Sequence, residues 1–350
     1  MISNFWQEFR QKATRFPQRI VLADGEDSRV VKAAAIAAAE RIADPILIGS
    51  TRKVEPLWKQ YAGSLPLPCL DPLDLNPADR NALVAEFREL PKNRNISDQE
   101  ALTRLQDPLW FGCLYTRGGH ADGFVGGASR TTADTLRAVF SVVGLAPHAP
   151  ALFGFFLIEG RGIGAAASLV LLADCAVIPD PSPKQLSQIA VGSAAAFEFF
   201  VGEKSRVAFL SFSTHGSAEH ASVDKIRQAL DFARQKAPQL ILEGEWQADA
   251  ALDRVTAQIK GVGDSPMAGQ ANVLIAPDLN CGNIAYKLIQ RLGGCRAVGP
   301  ILWGTAKPAN DLSRGCSTED VLDMIALTAL QAQGSKTPVP AKKEPTLRRR

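Results

Sequence analysis

The fold of this 350-residue chain is decided by residues 19–49, which read RIVLADGEDSRVVKAAAIAAAERIADPILIG. Residues 19–23 form an apolar run that predicts a buried strand, and the polar residues 24–29 predict a loop. The alanine-rich run 30–42 predicts a helix, and residues 45–49 predict a second strand. A strand, a loop, a helix and a strand within about thirty residues form a βαβ unit, which indicates a parallel sheet. Because site loops in such sheets follow the carboxyl ends of strands, Asp24–Arg29 is a candidate site loop.

The rest of the chain repeats this α/β pattern. At 350 residues, the whole chain is too long to form one ordinary hydrophobic core, which predicts two domains or one elaborated α/β domain. Residues 81–106 have helical character with a break at Pro91, and residues 145–150 resemble a connector. Beyond the connector, the predicted strands are 152–158, 169–173, 207–211 and 273–276, and the predicted helices are 184–200, 223–236 and 283–292.

Composition and charge narrow the class of protein. With 46% hydrophobic and 21% charged residues, the chain resembles a soluble globular protein. It has no apolar run of membrane-spanning length and no basic-then-apolar leader, so we expect a cytoplasmic protein without a membrane partner. Residues 334–350 hold six basic residues and one acidic residue, so the total charge of +3 leaves −2 for the remainder. A nearly neutral body argues against a nucleic-acid partner, and residues 334–350 are predicted to form a disordered basic tail.

Cysteine, histidine and glycine spacing predicts neither a metal nor a nicotinamide site. The six cysteines lie far apart without a CxxC pair, so we expect buried free thiols, including that of Cys316. None of the four histidines is paired with a carboxylate or a cysteine at metal-ligand spacing, and His215 and His220, five residues apart, are a weak signal. The run Gly160–Gly164 lies between two strand-like segments with no helix after it. This pattern predicts a hairpin turn and disfavours a dinucleotide fingerprint.

Residues 310–320, Asn-Asp-Leu-Ser-Arg-Gly-Cys-Ser-Thr-Glu-Asp, concentrate reactive side chains before a predicted helix. Ser317 with Asp320 three residues later is typical of a capping box. Ser313 and Arg314 therefore lie on a tight turn before a helix N-terminus, where free N–H groups favour an anion. An arginine beside such an end suits a phosphate or a developing oxyanion. In the alternative, purely structural interpretation, Asp320 caps the helix, Ser313 closes the turn and Arg314 is a surface charge.

A second candidate phosphate site lies at residues 122–137. A short strand at 122–128 runs into the pair Gly126-Gly127, and residues 129–137 open a helix with hydroxyl groups and two arginines. Glycines, hydroxyls and arginines at a strand-to-helix junction are typical of a phosphate cradle.

Taken together and in order, these segments resemble the phosphate acetyl/butyryltransferase family, in the short, catalytic-only form of phosphate acetyltransferase. One such segment would be weakly specific, whereas ten in the same order are very specific. The resemblance extends to about Gln333. The matching segments are 22–29, 107–112, 121–127, 131–137, 172–179, 211–217, 264–266, 272–283, 299–302 and 307–320.

The resemblance implies a fold and a reaction. The fold is α/β, with two three-layer α/β/α domains and a cleft between them, similar to the isocitrate/isopropylmalate dehydrogenase-like fold. The first domain would comprise residues 1–146 and 300–333, and the second residues 147–299. The implied reaction is acetyl-CoA + phosphate = acetyl phosphate + CoA, without cofactor, metal or acyl-enzyme. Its small-molecule partners are the substrates CoA, acetyl-CoA, acetyl phosphate and phosphate, and the resemblance also implies a homodimer.

The resemblance also assigns roles to individual residues. Asp320 matches the base that takes the CoA thiol proton, Ser313 the hydroxyl that orients the thiol and the carbonyl, and Arg314 the arginine that neutralises oxygen charge. Ser129-Arg130 replaces a more usual Val-His pair, which adds a charge near the cleft. The residues assigned to substrate binding are Arg88, Thr132, Arg137, Ser213, Thr214 and Asn283.

Transfer of the thiol proton to an aspartate sets a physical condition. A free thiol has a pKa of about 8.5 and an aspartate one of about 3.9, so complete transfer costs roughly 6 kcal/mol. Asp320 would have to be partly desolvated, Arg314 would have to favour the thiolate, or proton transfer would have to be concerted with attack.

Three alternatives stay open at this point. Phosphate butyryltransferase shares the fold and has a roomier acyl pocket. A catalytically silent relative would act as a regulatory or assembly partner, although Arg137, Ser313, Arg314 and Asp320 are all present. An isocitrate-dehydrogenase-like oxidoreductase would need a nicotinamide site and a cluster of metal-binding aspartates, and the sequence contains neither pattern.

Overall fold

Two β-sheets organise the chain, which a computed structural model describes over residues 5–336 except 92, 148 and 161–168. The described strands are β1 (Arg19–Leu22), β2 (Asp44–Ile48), β3 (Cys69–Leu70), β4 (Gly123–Gly126), β5 (Phe153–Glu159), β6 (Leu169–Ala173), β7 (Arg206–Leu210), β8 (Ile241–Trp246), β9 (Val273–Ile275), β10 (Ala297–Trp303) and β11 (Ala309–Asp311). The described helices are α1 (Phe5–Ala13), α2 (Ser28–Ala39), α3 (Thr51–Ala62), α4 (Pro77–Glu89), α5 (Asp98–Leu105), α6 (Pro108–Arg117), α7 (Thr132–Ala138, followed by a π-helical turn at Val139–Val143), α8 (Pro183–Val201), α9 (Ala221–Lys236), α10 (Ala248–Leu252), α11 (Arg254–Ile259), α12 (Leu279–Arg291) and α13 (Thr318–Lys336).

The first sheet is entirely parallel and has the strand order β11-β4-β1-β2-β3. Ile20 and Leu22 of β1 pack into one hydrophobic cluster, whereas Val21 packs into another. Because successive strand residues point to opposite faces, both faces of this sheet are covered, as is usual for parallel sheets. The βαβ unit predicted within residues 19–49 is confirmed as β1, α2 and β2.

The second sheet has the order β10-β5-β6-β9-β7-β8. Strand β5 is antiparallel to both of its neighbours, and the other pairs are parallel. Phe155 and Leu157 of β5 pack into the cluster that also contains Ile20 of the first sheet, whereas Phe156 and Ile158 pack into a separate cluster. This sheet is therefore also covered on both faces. The predicted fold class, with two three-layer α/β/α units, is confirmed.

Most of the predicted elements are present. The four strands predicted beyond residue 150 correspond to β5, β6, β7 and β9, and the three helices to α8, α9 and α12. The break predicted at Pro91 separates α4 from α5. Strands β5 and β6 pair antiparallel, as a hairpin requires, but the predicted turn at Gly160–Gly164 lies largely in residues 161–168, outside the described residues.

The chain crosses between the sheets twice, along two adjacent segments. An antiparallel bridge joins Leu145 to Thr305, and the Ala146 N–H donates to the Gly304 carbonyl oxygen at 2.9 Å. Strand β10 pairs with β5, so residues 300–303 belong to the second sheet. The predicted domain division at 146/147 and 299/300 stays a prediction.

The last described helix extends past the predicted start of the tail. Helix α13 ends at Lys336, and residues 337–350 lie outside the described residues. Among the helices that the structure describes, none combines the length and the apolar character needed to cross a membrane.

Candidate active site

A cavity of about 780 Å³ lies between the two sheets. The loop after β4, helix α7 and the turn after β11 form one wall. Strands β5 and β10, the loop after β6 and helix α12 form the other wall. Several of these segments follow the carboxyl ends of parallel strands, which is where α/β sheets bind ligands.

The charge of this cavity has one sign. Basic side chains of Arg130, Lys287 and Arg314 line it, and none of its described lining residues is acidic. We therefore call it the cationic cleft. A concave surface of a single charge attracts and concentrates ligands of the opposite charge, so the cleft favours anions.

The turn between β11 and α13 presents two predicted catalytic residues to the cationic cleft. The Cys316 N–H donates to the Ser313 carbonyl oxygen at 2.9 Å, and the Gly315 N–H donates to Ser313 Oγ at 3.3 Å. These bonds close the turn. Ser313 and Arg314 are exposed, and both line the cleft. The structure thus brings the hydroxyl and the guanidinium together on one wall.

Asp320 forms the predicted capping box at the start of α13. Its Oδ2 accepts hydrogen bonds from the Ser317 N–H at 2.8 Å and from Ser317 Oγ at 2.9 Å. The Asp320 N–H donates to Ser317 Oγ at 3.1 Å. Asp320 is half-buried and is not among the described lining residues of the cationic cleft. The capping role is therefore confirmed, and the role as a base stays a prediction.

A buried aspartate ends the strand that leads into this turn. Asp311 is 0% exposed. Among the described residues, no donor has hydrogen-bond geometry to either of its carboxyl oxygens. Burial raises the pKa of Asp311 to about 7, although the hydroxyl groups of Thr132 and Thr135 favour its charged form. Gly127, with φ of +108°, allows this close packing, since a Cβ there would lie 2.2 Å from Asp311 Oδ1.

The cysteines supply no nucleophile to the cleft. Cys316 is buried, and this burial raises the pKa of its thiol to about 11, although the Arg29 charge opposes the shift. Cys175 lines the cleft, but burial raises the pKa of its thiol well above the ordinary value. Both therefore remain thiols at neutral pH. Among the described residues there is no group of three or more histidine, cysteine or acidic side chains placed to hold a metal ion.

Two of the predicted substrate-binding residues line the cleft, and a third lies beside it. Thr132 begins α7, and Asn283 lies on α12, where its Nδ2 donates to the Cys175 carbonyl oxygen at 3.1 Å. Arg137 lies further along α7 and is exposed, with its Nη1 2.8 Å from Asp134 Oδ1. Arg137 does not itself belong to the described lining of the cleft.

Arg88, Ser213 and Thr214 are also absent from the described lining of the cleft. Arg88, on α4, forms an ion pair with Asp98. Ser213 is fully buried, and its hydroxyl donates to Glu245 Oε1 at 3.0 Å. Thr214 is also buried, in the same loop. Assignment of these three residues to substrate binding stays a prediction.

Several cleft residues were not assigned to the site from the sequence. The rings of Phe156 and Tyr286 stack with their centroids 3.7 Å apart and form an aromatic part of the wall. Tyr286 and Lys287 lie three and four residues after Asn283, so helical spacing could have placed them beside it. Phe156 lies on β5, far from α12 in sequence, and no local pattern predicts their contact.

A second cavity, of about 710 Å³, lies at the carboxyl ends of β1, β2 and β3. The predicted site loop Asp24–Arg29 contributes to this cavity. Arg130 lines both cavities. The ionisable side chains here are the carboxylates of Asp24, Glu26, Asp27 and Asp71 and the basic groups of Lys53 and Arg130. We call it the acidic cavity.

Comparison with known proteins identifies the family. Residues 4–329 match the family described as Phosphate acetyl/butaryl transferase. A phosphate acetyltransferase from Thermoanaerobacterium thermosaccharolyticum is 44% identical over 331 residues, which cover 93% of this chain and 99% of that protein. A solved phosphotransacetylase from Streptococcus pyogenes has a TM-score of 0.86 at 38% identity, covering 95% of this chain and 99% of that one. Another, from Staphylococcus aureus, has a TM-score of 0.82 at 36% identity, covering 94% and 98%. The chain therefore belongs to the phosphate acetyl/butaryl transferase family and is an acyltransferase.

Proposed function

We propose that the chain is a phosphate acetyltransferase that moves an acetyl group reversibly between CoA and inorganic phosphate in the cationic cleft. The observation that carries this proposal is the lining of the cleft by Arg130, Lys287 and Arg314 without a described acidic residue. CoA, acetyl phosphate and phosphate are all anions, so this charge favours each of them. Relatives named phosphate acetyltransferase, at identities from 34% to 44%, support the same activity.

The proposed reaction is a direct transfer within a complex that holds both substrates. An oxygen of hydrogen phosphate attacks the carbonyl carbon of acetyl-CoA, the C–O bond forms and the C–S bond breaks. The proton that the attacking hydrogen phosphate loses is passed, by way of Asp320, to the CoA sulfur. In reverse, the CoA thiol loses its proton as it attacks acetyl phosphate, and phosphate leaves. The lining Cys175 is kept protonated by burial, which supports a route without an acyl-cysteine intermediate.

Ser313 and Arg314 act on the reacting groups in this proposal. The Arg314 guanidinium can form two parallel hydrogen bonds to phosphate oxygens and stabilise the charge that develops on the carbonyl oxygen. The Ser313 hydroxyl orients the CoA thiol and the carbonyl. Their adjacent, exposed positions on the cleft wall support both roles.

Asp320 is the proposed base for the CoA thiol. Two donors from Ser317 occupy its Oδ2, whereas Oδ1 makes no hydrogen bond with a described residue. That oxygen can therefore accept a proton without breaking the capping box. Because complete transfer from a free thiol to a free aspartate costs roughly 6 kcal/mol, we propose that proton transfer is concerted with attack.

The apolar part of the cleft suits the acyl group and the pantetheine arm of CoA. The stacked pair Phe156–Tyr286, Leu136 and Pro300 all line it. An acetyl group is the proposed substrate, and phosphate butyryltransferase is the alternative within the family. Thr132 and Asn283, which line the cleft, are proposed contacts for the substrate. Arg137, Arg88, Ser213 and Thr214 are proposed contacts for the outer parts of CoA. A cytoplasmic homodimer is the proposed form of the protein.

Turnover of a panel of acyl phosphates with CoA tests this function. We expect acetyl phosphate to be the best substrate, with kcat/KM falling as the acyl chain lengthens to butyryl. Chelation by EDTA should leave the rate unchanged. A clear preference for butyryl phosphate would favour the butyryltransferase alternative, and no turnover of any acyl phosphate would contradict the proposal.

A further inference from the structure

Arg29 connects three separate segments around the cationic cleft. It lies in the first turn of α2, and its side chain is about one-third exposed. Its Nη1 donates to the carbonyl oxygens of Arg314 at 2.9 Å and of Cys316 at 2.8 Å. Its Nη2 donates to the Ala128 carbonyl oxygen at 2.9 Å. One guanidinium group thus holds the turn after β11 and the loop after β4.

Asp27 fixes the orientation of this guanidinium. Asp27 Oδ1 accepts from Arg29 Nε at 3.0 Å, and Oδ2 accepts from Arg29 Nη2 at 2.7 Å. Burial alone would raise the pKa of Asp27, but its hydrogen bonds with Arg29 outweigh burial and lower it. Asp27 also caps α2 by accepting from the Arg29 N–H at 2.9 Å. The donor fork is therefore held in one plane relative to α2.

Asp24 belongs to the same predicted site loop as Asp27 and Arg29, and it binds the loop after β4. Its Oδ2 accepts from the N–H groups of Gly127 at 2.8 Å and Ala128 at 3.0 Å. Its Oδ1 accepts from the Ser129 N–H at 3.0 Å and from the Ser129 hydroxyl. Residues 127–129 are thus bound through their N–H groups by Asp24 and through a carbonyl oxygen by Arg29. The next residue, Arg130, lines the cleft.

We infer that Arg29 is a positioning residue for acyl transfer. It holds the Ser313–Arg314 turn in a fixed position relative to the Gly127–Arg130 loop. This inference rests on the proposed function, because it assigns Arg29 to the same reaction. The guanidinium is suited to this role, since its planar donor fork binds carbonyl and carboxylate oxygens in several directions at once. A lysine has one compact ammonium group and cannot reproduce that geometry.

The test compares Arg29→Ala and Arg29→Lys with the matched control Arg19→Ala. Arg19 lies at the opposite end of β1, where it pairs with Asp122 at 3.2 Å and donates to the Gly119 carbonyl oxygen at 3.1 Å. Because displacement of a catalytic group by about 1 Å costs about 10²-fold in rate, we expect Arg29→Ala to lower kcat by about that factor. Arg29→Lys should lower kcat by about tenfold, and Arg19→Ala should stay within about twofold of the wild type.

Two further readouts separate positioning from general loss of stability. Guanidinium at a sub-denaturing concentration should restore part of the kcat of Arg29→Ala, whereas urea should not. In an Arg314→Ala background, Arg29→Ala should lower kcat by a clearly smaller factor than it does in the wild type, because one of the two catalytic side chains that Arg29 positions is already gone. Circular dichroism and the melting temperature would show that each variant is folded at the assay temperature.

The outcomes distinguish this inference from the proposed function. A wild-type protein that does not turn over acyl phosphates contradicts the proposed function itself. An active wild type with a folded Arg29→Ala variant that keeps more than about a third of kcat overturns the role of Arg29 alone. Full multiplicativity of the Arg29→Ala and Arg314→Ala effects would also overturn it, since independent sites combine in that way.

Discussion

The cationic cleft and the acidic cavity have similar volumes, about 780 and 710 Å³, and share Arg130, yet they carry opposite charges. Each borders loops that follow the carboxyl ends of parallel strands. Topology therefore places a cavity at each position, but it does not decide which one binds an anion. We propose the cationic cleft as the anion site, because only its described lining contains basic side chains without acidic ones.

The two cavities differ also in whether their charges are paired. In the acidic cavity, Lys53 Nζ lies 2.7 Å from Glu26 Oε2, and Asp27 binds Arg29. In the cationic cleft, neither Lys287 nor Arg314 forms an ion pair with another described residue. The carboxylates of the acidic cavity thus hold loops together, whereas two cations of the cleft are available to a ligand.

Replacement of Asp320, the proposed base, should lower kcat strongly. The amide oxygen of asparagine can accept the hydrogen bonds that Asp320 Oδ2 accepts from Ser317, so Asp320→Asn should preserve the start of α13 with little change in melting temperature. General-base catalysis is typically worth about 10²–10⁴-fold, or roughly 3–5 kcal/mol, so we expect kcat to fall by that factor. Steady-state kinetics with acetyl phosphate and CoA measures it, with a modest change expected in the KM for CoA.

Asp79→Asn is the matched control for Asp320→Asn. Asp79 occupies the equivalent position at the start of α4, where its N–H donates to Asn76 Oδ1 at 2.9 Å. This control should leave kcat unchanged. If Asp320→Asn kept more than about a tenth of wild-type kcat, Asp320 would be a helix cap only.

The second test concerns Asp311, whose pKa is influenced by Thr132 of the cationic cleft and by Asp24 of the acidic cavity. Burial raises its pKa from 3.8 to about 7. Between these values the unfolded chain releases the proton while the folded protein keeps it, so the contribution of Asp311 to stability falls as pH rises and levels off above about pH 7. The variant Asp311→Asn has no carboxyl group at this position, so it lacks this pH-dependent loss of stability. We expect the stability of the wild type relative to the variant to fall by about 3 kcal/mol between pH 5 and pH 8.

Urea unfolding of both proteins at the two pH values, at one protein concentration, measures this difference. The comparison is insensitive to any constant effect of the substitution, because only the change between pH values counts. An equal offset between wild type and variant at pH 5 and pH 8 would show that Asp311 keeps the same charge in the folded and unfolded states.

Local sequence patterns were sufficient to predict the strands at the centre of each sheet. Residues 19–49 combine an apolar strand, a polar loop and an alanine-rich helix, and each appears where it was predicted. Ser317 and Asp320 form the expected capping box because that motif depends on residues three apart. The strands β3, β8, β10 and β11 were not predicted. Strand β11 has three residues, and the Gly-Pro pair at 299–300 interrupts the apolar run of β10.

The composition of the site depended on contacts that local patterns do not contain. Arg29 bonds to carbonyl oxygens 285 and 287 residues away, and backbone acceptors leave no trace in side-chain sequence. Strand topology predicted Asp24–Arg29 as a site loop, and in the structure this loop lines the acidic cavity while Arg29 donates hydrogen bonds to carbonyl oxygens beside the cationic cleft. The opposite charges of the two cavities likewise depend on where the fold brings residues that are far apart in sequence, such as Lys53 and Lys287.

In the proposed function, CoA binds in the cationic cleft and not in the acidic cavity. Isothermal titration of CoA into the wild type and the variants Lys287→Gln and Lys53→Gln distinguishes the two sites, because each variant removes one exposed lysine from one cavity. A hydrogen bond to a charged group is worth about 1.5–3 kcal/mol, so Lys287→Gln should weaken CoA binding by about tenfold or more. Lys53→Gln should leave the Kd within about twofold of the wild type. A tenfold loss for Lys53→Gln with unchanged binding by Lys287→Gln would place CoA in the acidic cavity and contradict the claim.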